Sequence, residues 1–371
     1  MKLIILKKNL KDGLNVIQGA ISDNNNLPIL KYVLLIARNN QIKLVATNLE
    51  LAISAPVPGK IIDEGAISLP FSVFSNIISN TDNERVDLEL KENAVLINTD
   101  NYGAKIQALP ESDFPIIPKL ENIKESIEIQ SEIFKEALIQ VVNAAQISEI
   151  RPELSGVLFD FQLTVFKLAA TDSFRLAEKN ISDNQIKSSF RAPWKSIIPL
   201  KTIGEIIKIC DLNSSTFIYR DNNQILIKND KAELISRVLE GNYPDYEQII
   251  PKNNEVELVF EKEHLIKALK LVSTFSSKIN DVRFRVRGDK KVLDVYSSSQ
   301  HLGENNYLIP VKISSPVDSD IAFNWRYVLD GVKILSSNQI SLALSGEIKP
   351  AVIKPLDDPS YFYLVMPIRN S

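Results

Sequence analysis

The 371-residue chain has one cysteine, Cys210, and two histidines, His264 and His301. A lone cysteine excludes an internal disulfide framework and any site built on several thiolates. It fits a reducing compartment, so a cytoplasmic location is expected. The two histidines stand 37 positions apart, so there is no H-E-x-x-H zinc motif. No metal and no cofactor is expected. Glycine is scarce: 12 residues, none closer than six positions to another, with Gly13/Gly19 and Gly59/Gly65 the nearest pairs. A dinucleotide fingerprint, a Walker phosphate loop and a nucleophile elbow all need closer glycines. No apolar run approaches the roughly 18 residues of a membrane span, and the run within Met1–Lys8 is too short for a signal peptide. No membrane partner is expected. Neither sign of charge is in large excess, with 43 bases against 46 acids and a net charge of −3. That argues against coating nucleic acid with bulk positive charge. The carboxylate pairs Asp63/Glu64 and Asp357/Asp358 fall in expected turns, where aspartate serves the backbone. An enzyme therefore has little visible equipment, and the expected answer is a non-catalytic protein.

What is present is a globular composition, 44% hydrophobic and 24% charged, on a chain long enough for two or three domains. The pattern within it repeats three times. Extended runs at Lys2–Leu6, Ser126–Gln130 and Val256–Phe260 are each followed at once by a helical stripe. Leu10, Leu14, Ile17 and Ile21 form the first stripe. Phe134, Leu138, Val141 and Ala145 repeat it 124 positions later, and Leu265, Leu269 and Val272 repeat it 255 positions after the first. The 124 offset persists from Pro28, Leu30, Val33 and Leu34 to Pro152, Leu154, Val157 and Leu158, and from Ala46-Thr47-Asn48 to Ala170-Thr171-Asp172. Val295–Ser298 is the weaker third copy. A second helix follows in each, with apolar faces at Phe74/Ile77/Ile78, Ile203/Ile206/Ile207 and Val328/Val332/Leu335. The expected architecture is α+β: three tandem domains over 1–120, 126–252 and 253–371, each with two helices packed on antiparallel sheets.

The periodicity predicts six helices, over 7–21, 70–81, 131–148, 199–210, 261–278 and 324–337. They carry twelve bases: Lys7, Lys8, Lys11, Lys135, Lys201, Lys208, Lys262, Lys267, Lys270, Lys278, Arg326 and Lys333. Seven acids oppose them, so the helices hold a surplus of +5 and the rest of the chain −8. Helices facing a common polyanion, with sheets outward, would show this split. Lysine-rich solvated helix faces are the plainer alternative, since lysine is a good helix former. Scattered lysine suits a loose hold on a phosphate backbone better than fixed readout.

Several segments together resemble the bacterial DNA polymerase III beta subunit, the sliding clamp (DNA clamp) family. They are Leu27-Pro28-Ile29-Leu30, Thr47-Asn48-Leu49-Glu50, Leu109-Pro110 with Asp113-Phe114-Pro115, Ala170 to Ala177, Gly241 to Pro251, Phe323 with Tyr327-Val328-Leu329-Asp330, and Val365-Met366-Pro367-Ile368-Arg369. They occur in order over the whole chain. The resemblance implies three clamp domains, a head-to-tail homodimeric ring, and helices lining a hole for double-stranded DNA held topologically, without sequence preference. It implies DNA-facing bases at Lys7, Lys8, Lys11, Lys135, Arg151, Lys201, Lys208, Lys267, Lys270, Arg326 and Lys333. Lys105 and Ile106 on one side, and Thr274 and Phe275 on the other, would lie near the dimer junction. It further implies an apolar pocket for short motifs of the DNA polymerase III alpha subunit, the clamp loader and other clamp-binding proteins. Its walls would be Leu154, Thr171, Phe174, Arg175, Leu176, Pro244, Ile249, Ile348, Leu364, Val365, Met366, Pro367, Ile368 and Arg369. Aliphatic side chains and a flexible methionine suit leucine and phenylalanine anchors, and Arg175 and Arg369 would hold polar or carboxylate groups of the peptide.

The chain departs from the family pattern in places. Gln248 replaces a common arginine, Ala104 a common aromatic, and Asn370-Ser371 extends the usual end. Loop Asp23–Asn26 lacks a base, and Glu149–Glu153 has only Arg151 where relatives have aromatics near DNA. A β-rich interaction scaffold with no DNA role is the remaining alternative; it explains the repeat but not the basic helices or the apolar tail.

Overall fold

The computed structural model describes residues 1–22, 25–120, 123–315 and 317–369. Six α-helices occur among the described residues: α1 (Lys7–Ile17), α2 (Phe71–Asn80), α3 (Ser131–Val142), α4 (Leu200–Ile209), α5 (Lys262–Val272) and α6 (Trp325–Lys333). Each begins on the residue after a strand ends. The strand's last residue stays extended and serves as the N-cap position, as at Leu6, Pro70, Glu261 and Asn324. Only Asn324 among these four caps with its side chain, accepting from the Arg326 N–H.

The apolar stripes are buried as the 3.6 period requires. Leu10, Leu14, Ile17, Phe134, Leu138, Val141, Leu265, Leu269 and Val272 are all in the core. The helices are shorter than their stripes. Residues 18–20 and 273–275 are 3₁₀ turns continuing α1 and α5. The expected continuation of α3 to 148 stops at Val142, where Ala144 and Ala145 bond the carbonyls of Val141 and Val142 in i→i+3 fashion. α6 ends at Lys333 and not at 337, with the Leu335 N–H on Val332 O. Apolar periodicity survives a switch to the tighter helix, so a stripe overstates α-helix length.

Among the described residues the strands form four sheets, every pairing antiparallel, and the chain divides into two compact units. The first unit gathers residues 1–135, 186–190 and 204–238. It holds a five-stranded sheet ordered Gly59–Asp63, Lys2–Leu6, Arg85–Lys91, Ala94–Asn98, Gly103–Gln107. It also holds a ten-stranded sheet in which Leu51–Pro56 pairs with Glu233–Arg237. The second unit gathers 136–185, 191–203 and 239–371. Its nine-stranded sheet is continuous through pairing of Arg175–Ser182 with Tyr361–Val365. Its four-stranded sheet is ordered Gly303–Pro310, Val292–Ser299, Asp281–Arg287, Ser319–Asn324. Both large sheets thus run on through strands far apart in sequence.

A lysine clasp recurs three times. Lys7 Nζ donates to the carbonyl of Thr81, the C-cap of α2. Lys262, 255 positions later, donates to Leu335 O at 2.6 Å, just beyond α6. Lys135 donates to Cys210 O at 3.2 Å, just beyond α4. A helix end leaves carbonyls without intrahelical partners and carries partial negative charge, and an ammonium satisfies both.

Candidate functional site

The expected pocket residues lie in the second unit. Strand Val165–Thr171 turns into strand Arg175–Ser182 through Asp172-Ser173-Phe174. Thr171 Oγ1 donates to Arg175 O at 2.6 Å and accepts from Ser173 N at 3.2 Å. Asp172 Oδ1 accepts from the N–H groups of Phe174 and Arg175 at 2.9 and 3.0 Å. Ser173 sits at φ +78°, a conformation this side-chain-braced turn imposes. The turn leaves Phe174 58% exposed.

The apolar tail docks beside it. Met366 N donates to Phe174 O at 2.8 Å, one residue past the strand pairing, and Ile368 N donates to Ala322 O at 2.8 Å. Met366 is half-buried against a cluster of Leu158, Ala169, Leu176, Ile197, Tyr246 and Leu364, joined by Tyr243, Ile250 and Phe362. Leu176, Leu364 and Val365 are fully buried, so they are the floor of this region and not its surface. Leu154, Thr171 and Pro367 are buried as well. Phe174, Ile249, Ile348 and Arg369 are exposed, and Pro244, Met366 and Ile368 are half-buried.

Arg175 is held by partners within the chain. Its Nε bonds Asp172 Oδ2 at 2.9 Å and its Nη1 bonds Asp330 Oδ2 of α6 at 2.7 Å. Its guanidinium lies 4.5 Å from the centre of the Tyr327 ring, on which Phe174 also stacks at 6.3 Å. Burial works against its charge, but Tyr363, Asp330 and Asp172 outweigh that and hold its proton more tightly than in a free arginine. Sequence reading missed Tyr327 and Asp330 as neighbours of this turn. Their i,i+3 spacing, which sets both on one face of α6, was the available signal. Around the cluster, Tyr246 donates to Glu178 at 2.6 Å, and burial first, then Glu178, pushes its phenol pKa up. Gln248 donates to Asp245 at 2.8 Å.

The basic helix residues are of two kinds. Lys7, Lys135 and Lys262 hold the helix-end carbonyls described above. Lys8, Lys11, Lys201, Lys208, Lys267, Lys270, Arg326 and Lys333 are exposed. Of these, Lys208 meets Glu205 at 2.8 Å, and Arg326 bonds Asn280 at 3.1 Å. The shortened helices still hold eleven bases against six acids, a surplus of +5. Arg151 is exposed but bonds Glu153 at 3.0 Å and Ser173 at 3.1 Å.

Lys105 and Ile106 lie in Gly103–Gln107, the outermost strand of the five-stranded sheet, with Lys105 exposed and Ile106 buried. Thr274 and Phe275 form the 3₁₀ turn after α5. Phe275 stands 3.6 Å from where a Cβ on Gly303 would sit, at the start of the outermost strand of the four-stranded sheet. Residues 23 and 24 of the Asp23–Asn26 loop and the Asn370-Ser371 tail lie outside the described residues. Among the described residues no cluster of ligands suits a metal, and no helix is long and apolar enough to cross a membrane.

Helix pairs on strand-joined antiparallel sheets, repeated along one chain, define the DNA-clamp class of fold. The chain superposes on the Bacillus subtilis DNA polymerase sliding clamp with a TM-score of 0.94 at 24% identity. It superposes on the Thermotoga maritima DNA polymerase III beta subunit with a TM-score of 0.91 at 25% identity, both alignments covering 100% of each chain. It is 27% identical over 373 residues to the beta sliding clamp of Chlamydia pneumoniae, covering 100% of this chain and 99% of that protein. It is 26% identical over 380 residues to that of Staphylococcus epidermidis, covering both in full. The DNA polymerase III beta subunit models match over residues 1–118 for the N-terminal domain, 128–245 for the central domain and 247–369 for the C-terminal domain. The chain belongs to the DNA polymerase III beta subunit family. That family acts as the DNA sliding clamp, a non-catalytic processivity factor that serves the polymerase on DNA.

Proposed function

We propose that this clamp works as a closed ring of two chains around double-stranded DNA. The observation that carries the reading is the pair of open sheet edges, Gly103–Gln107 in one unit and Gly303–Pro310 in the other. An open edge offers unpaired N–H and C=O groups, and an antiparallel strand from a second copy satisfies them. Both large sheets already join distant parts of the chain in this way. A head-to-tail contact is heterologous and gives a finite ring when its rotation closes. Lys105, Ile106, Thr274 and Phe275 would flank that contact. The helices would face the duplex. Eight exposed, mostly lysine cations hold phosphates without fixed forks, which permits sliding. The apolar surface of Phe174, Pro244, Ile249, Met366 and Ile368 would take partner motifs from the polymerase alpha subunit, the clamp loader and other proteins.

The deciding experiment loads the protein onto nicked circular DNA with a clamp loader and then linearises the circle. A topological clamp stays on the circle and slides off the linear form; equal retention on both sinks the ring. Sedimentation should give about twice the 41.7 kDa chain mass. Met366→Ala should weaken partner-peptide binding about tenfold, through lost apolar contact, with the sedimentation mass unchanged.

A further inference from the structure

We infer that Arg175 and Asp330 act as a positioning pair for the partner-peptide pocket, holding Phe174 against α6, and that Arg175 is not itself a ligand for the peptide. The inference rests on the pocket reading above. Three observations carry it. First, the Arg175 side chain is only 11% exposed, and its Nε and Nη1 are already committed to Asp172 and Asp330. With two carboxylates on one guanidinium, no net positive charge remains to draw an acidic group of a peptide.

Second, the turn does not need the arginine. The same turn stands at Thr47–Leu51 in the first unit, with the same four turn hydrogen bonds and with Leu51 in the arginine's place. What Arg175 adds is the tie to α6. Third, the tie fixes the one large exposed ring of the region. Phe174 stacks on Tyr327 at an interplanar angle of 25°, and Arg175 covers the same Tyr327 ring. Tyr327 is itself held, because its carbonyl accepts from the Tyr363 hydroxyl at 2.9 Å. An ion pair from turn to helix therefore sets where the Phe174 wall stands, and a wall misplaced by an ångström costs affinity.

The two roles predict opposite results for Asp330→Asn. The test uses the full chain and two synthetic peptides with leucine and phenylalanine anchors, one carrying an aspartate between them and its alanine twin. For a positioning pair, Asp330→Asn and Arg175→Ala each weaken both peptides by about fivefold to tenfold. The double variant is no worse than either single one, and Asp330→Glu restores binding. For a peptide ligand, Asp330→Asn frees the guanidinium and tightens the acidic peptide. Unchanged or tighter binding by Asp330→Asn overturns the inference, as does an Arg175→Ala loss confined to the acidic peptide. Asp330 is partly exposed, so its asparagine variant should fold; a thermal melt of each variant separates lost fold from lost affinity. Arg175→Lys, which keeps charge but not the fork, should bind weakly if positioning is the role. If the wild-type chain binds neither peptide, the pocket reading fails first and this inference falls with it.

Discussion

The two places where distant strands join within one sheet are built on one backbone device and finished differently. In the first unit the turn Thr47–Leu51 leads into strand Leu51–Pro56; in the second, 124 positions later, Thr171–Arg175 leads into Arg175–Ser182. Leu49 and Ser173 share a positive φ, +77° and +78°. Asn48 and Asp172 each accept two backbone N–H bonds with one oxygen. Arg237 N reaches Glu50 O at 3.0 Å as Met366 N reaches Phe174 O at 2.8 Å. The side chains then diverge. The first joint presents Leu51, Ser54 and Ala55. The second has Arg175, Glu178 and Lys179 at those positions, bound to Asp330, Tyr246 and Asp358. Where the second joint shows Phe174 and Met366, the first shows Glu50 and Arg237. The two joints share one backbone; the second carries an apolar, ion-braced surface and the first does not.

The largest test of that contrast is Leu176→Ala, because residue 52, its counterpart, is already alanine. Leu176 is fully buried in the cluster under Met366. The variant should lose about 3 kcal/mol of stability, seen as a lower denaturant midpoint of the second unit. A loss under about 1 kcal/mol would mean the second joint tolerates the first joint's packing. Next come two glycines. A Cβ on Gly331 would lie 2.3 Å from the Tyr363 ring, which is fully buried and cannot yield, so Gly331→Ala should cost about 2 kcal/mol. A Cβ on Gly19 would lie 2.0 Å from the Glu205 carboxyl, the far end of a flexible side chain, though a buried one paired with Lys208. Gly19→Ala should cost about 1 kcal/mol, and a thermal melt that ranks the two the other way would break the argument. Smaller again, Thr47→Val and Thr171→Val each remove one turn hydroxyl and should cost about 1 kcal/mol apiece. Unequal costs would show that the two turns are alike in geometry but not in energy.

The likeness of these turns is legible in the sequence, since a constant offset carries Ala46-Thr47-Asn48 onto Ala170-Thr171-Asp172. So are the helices, through their buried stripes, though not their ends, because periodicity does not register the change to a 3₁₀ turn. The third copy was legible only in outline. At Ser299–Gly303 the chain makes a hairpin with Gly303 at φ +107°, and no threonine braces it. Charge was readable as a surplus but not by role. Lys7, Lys135 and Lys262 look like their neighbours in sequence, and only their partners, 73 to 75 positions away, mark them as helix clasps. Arg175 is the sharpest case. Its identity suggests a peptide ligand, and its Nη1 is bonded to Asp330, 155 positions away. Spacing arguments reach along one element; tertiary ion pairs lie beyond them.

The smallest expected effect follows from the last of those ion pairs and separates the joints by pH. Lys179 Nζ meets Asp358 Oδ2 at 2.5 Å, whereas the counterpart of Lys179 in the first joint is Ala55. Burial pushes the Asp358 carboxyl up, but Lys179 and Ser360 outweigh it and hold the pKa below the ordinary 3.8. A carboxyl lowered in the folded state adds stability that is fully present above its unfolded value and is lost as pH falls through the folded one. For a partly exposed pair the gain is under about 1 kcal/mol. Amide exchange of strand Tyr361–Val365 should therefore lose protection on acidification below about pH 4, more than strand Glu233–Arg237 does. Asp358→Asn should lower that protection at about pH 6 and make no difference at the acid end, where the wild-type carboxyl is already neutral. If the variant instead matches wild type at neutral pH, the ion pair adds nothing to the second joint. Its bracing would then rest on Arg175 and Glu178 alone.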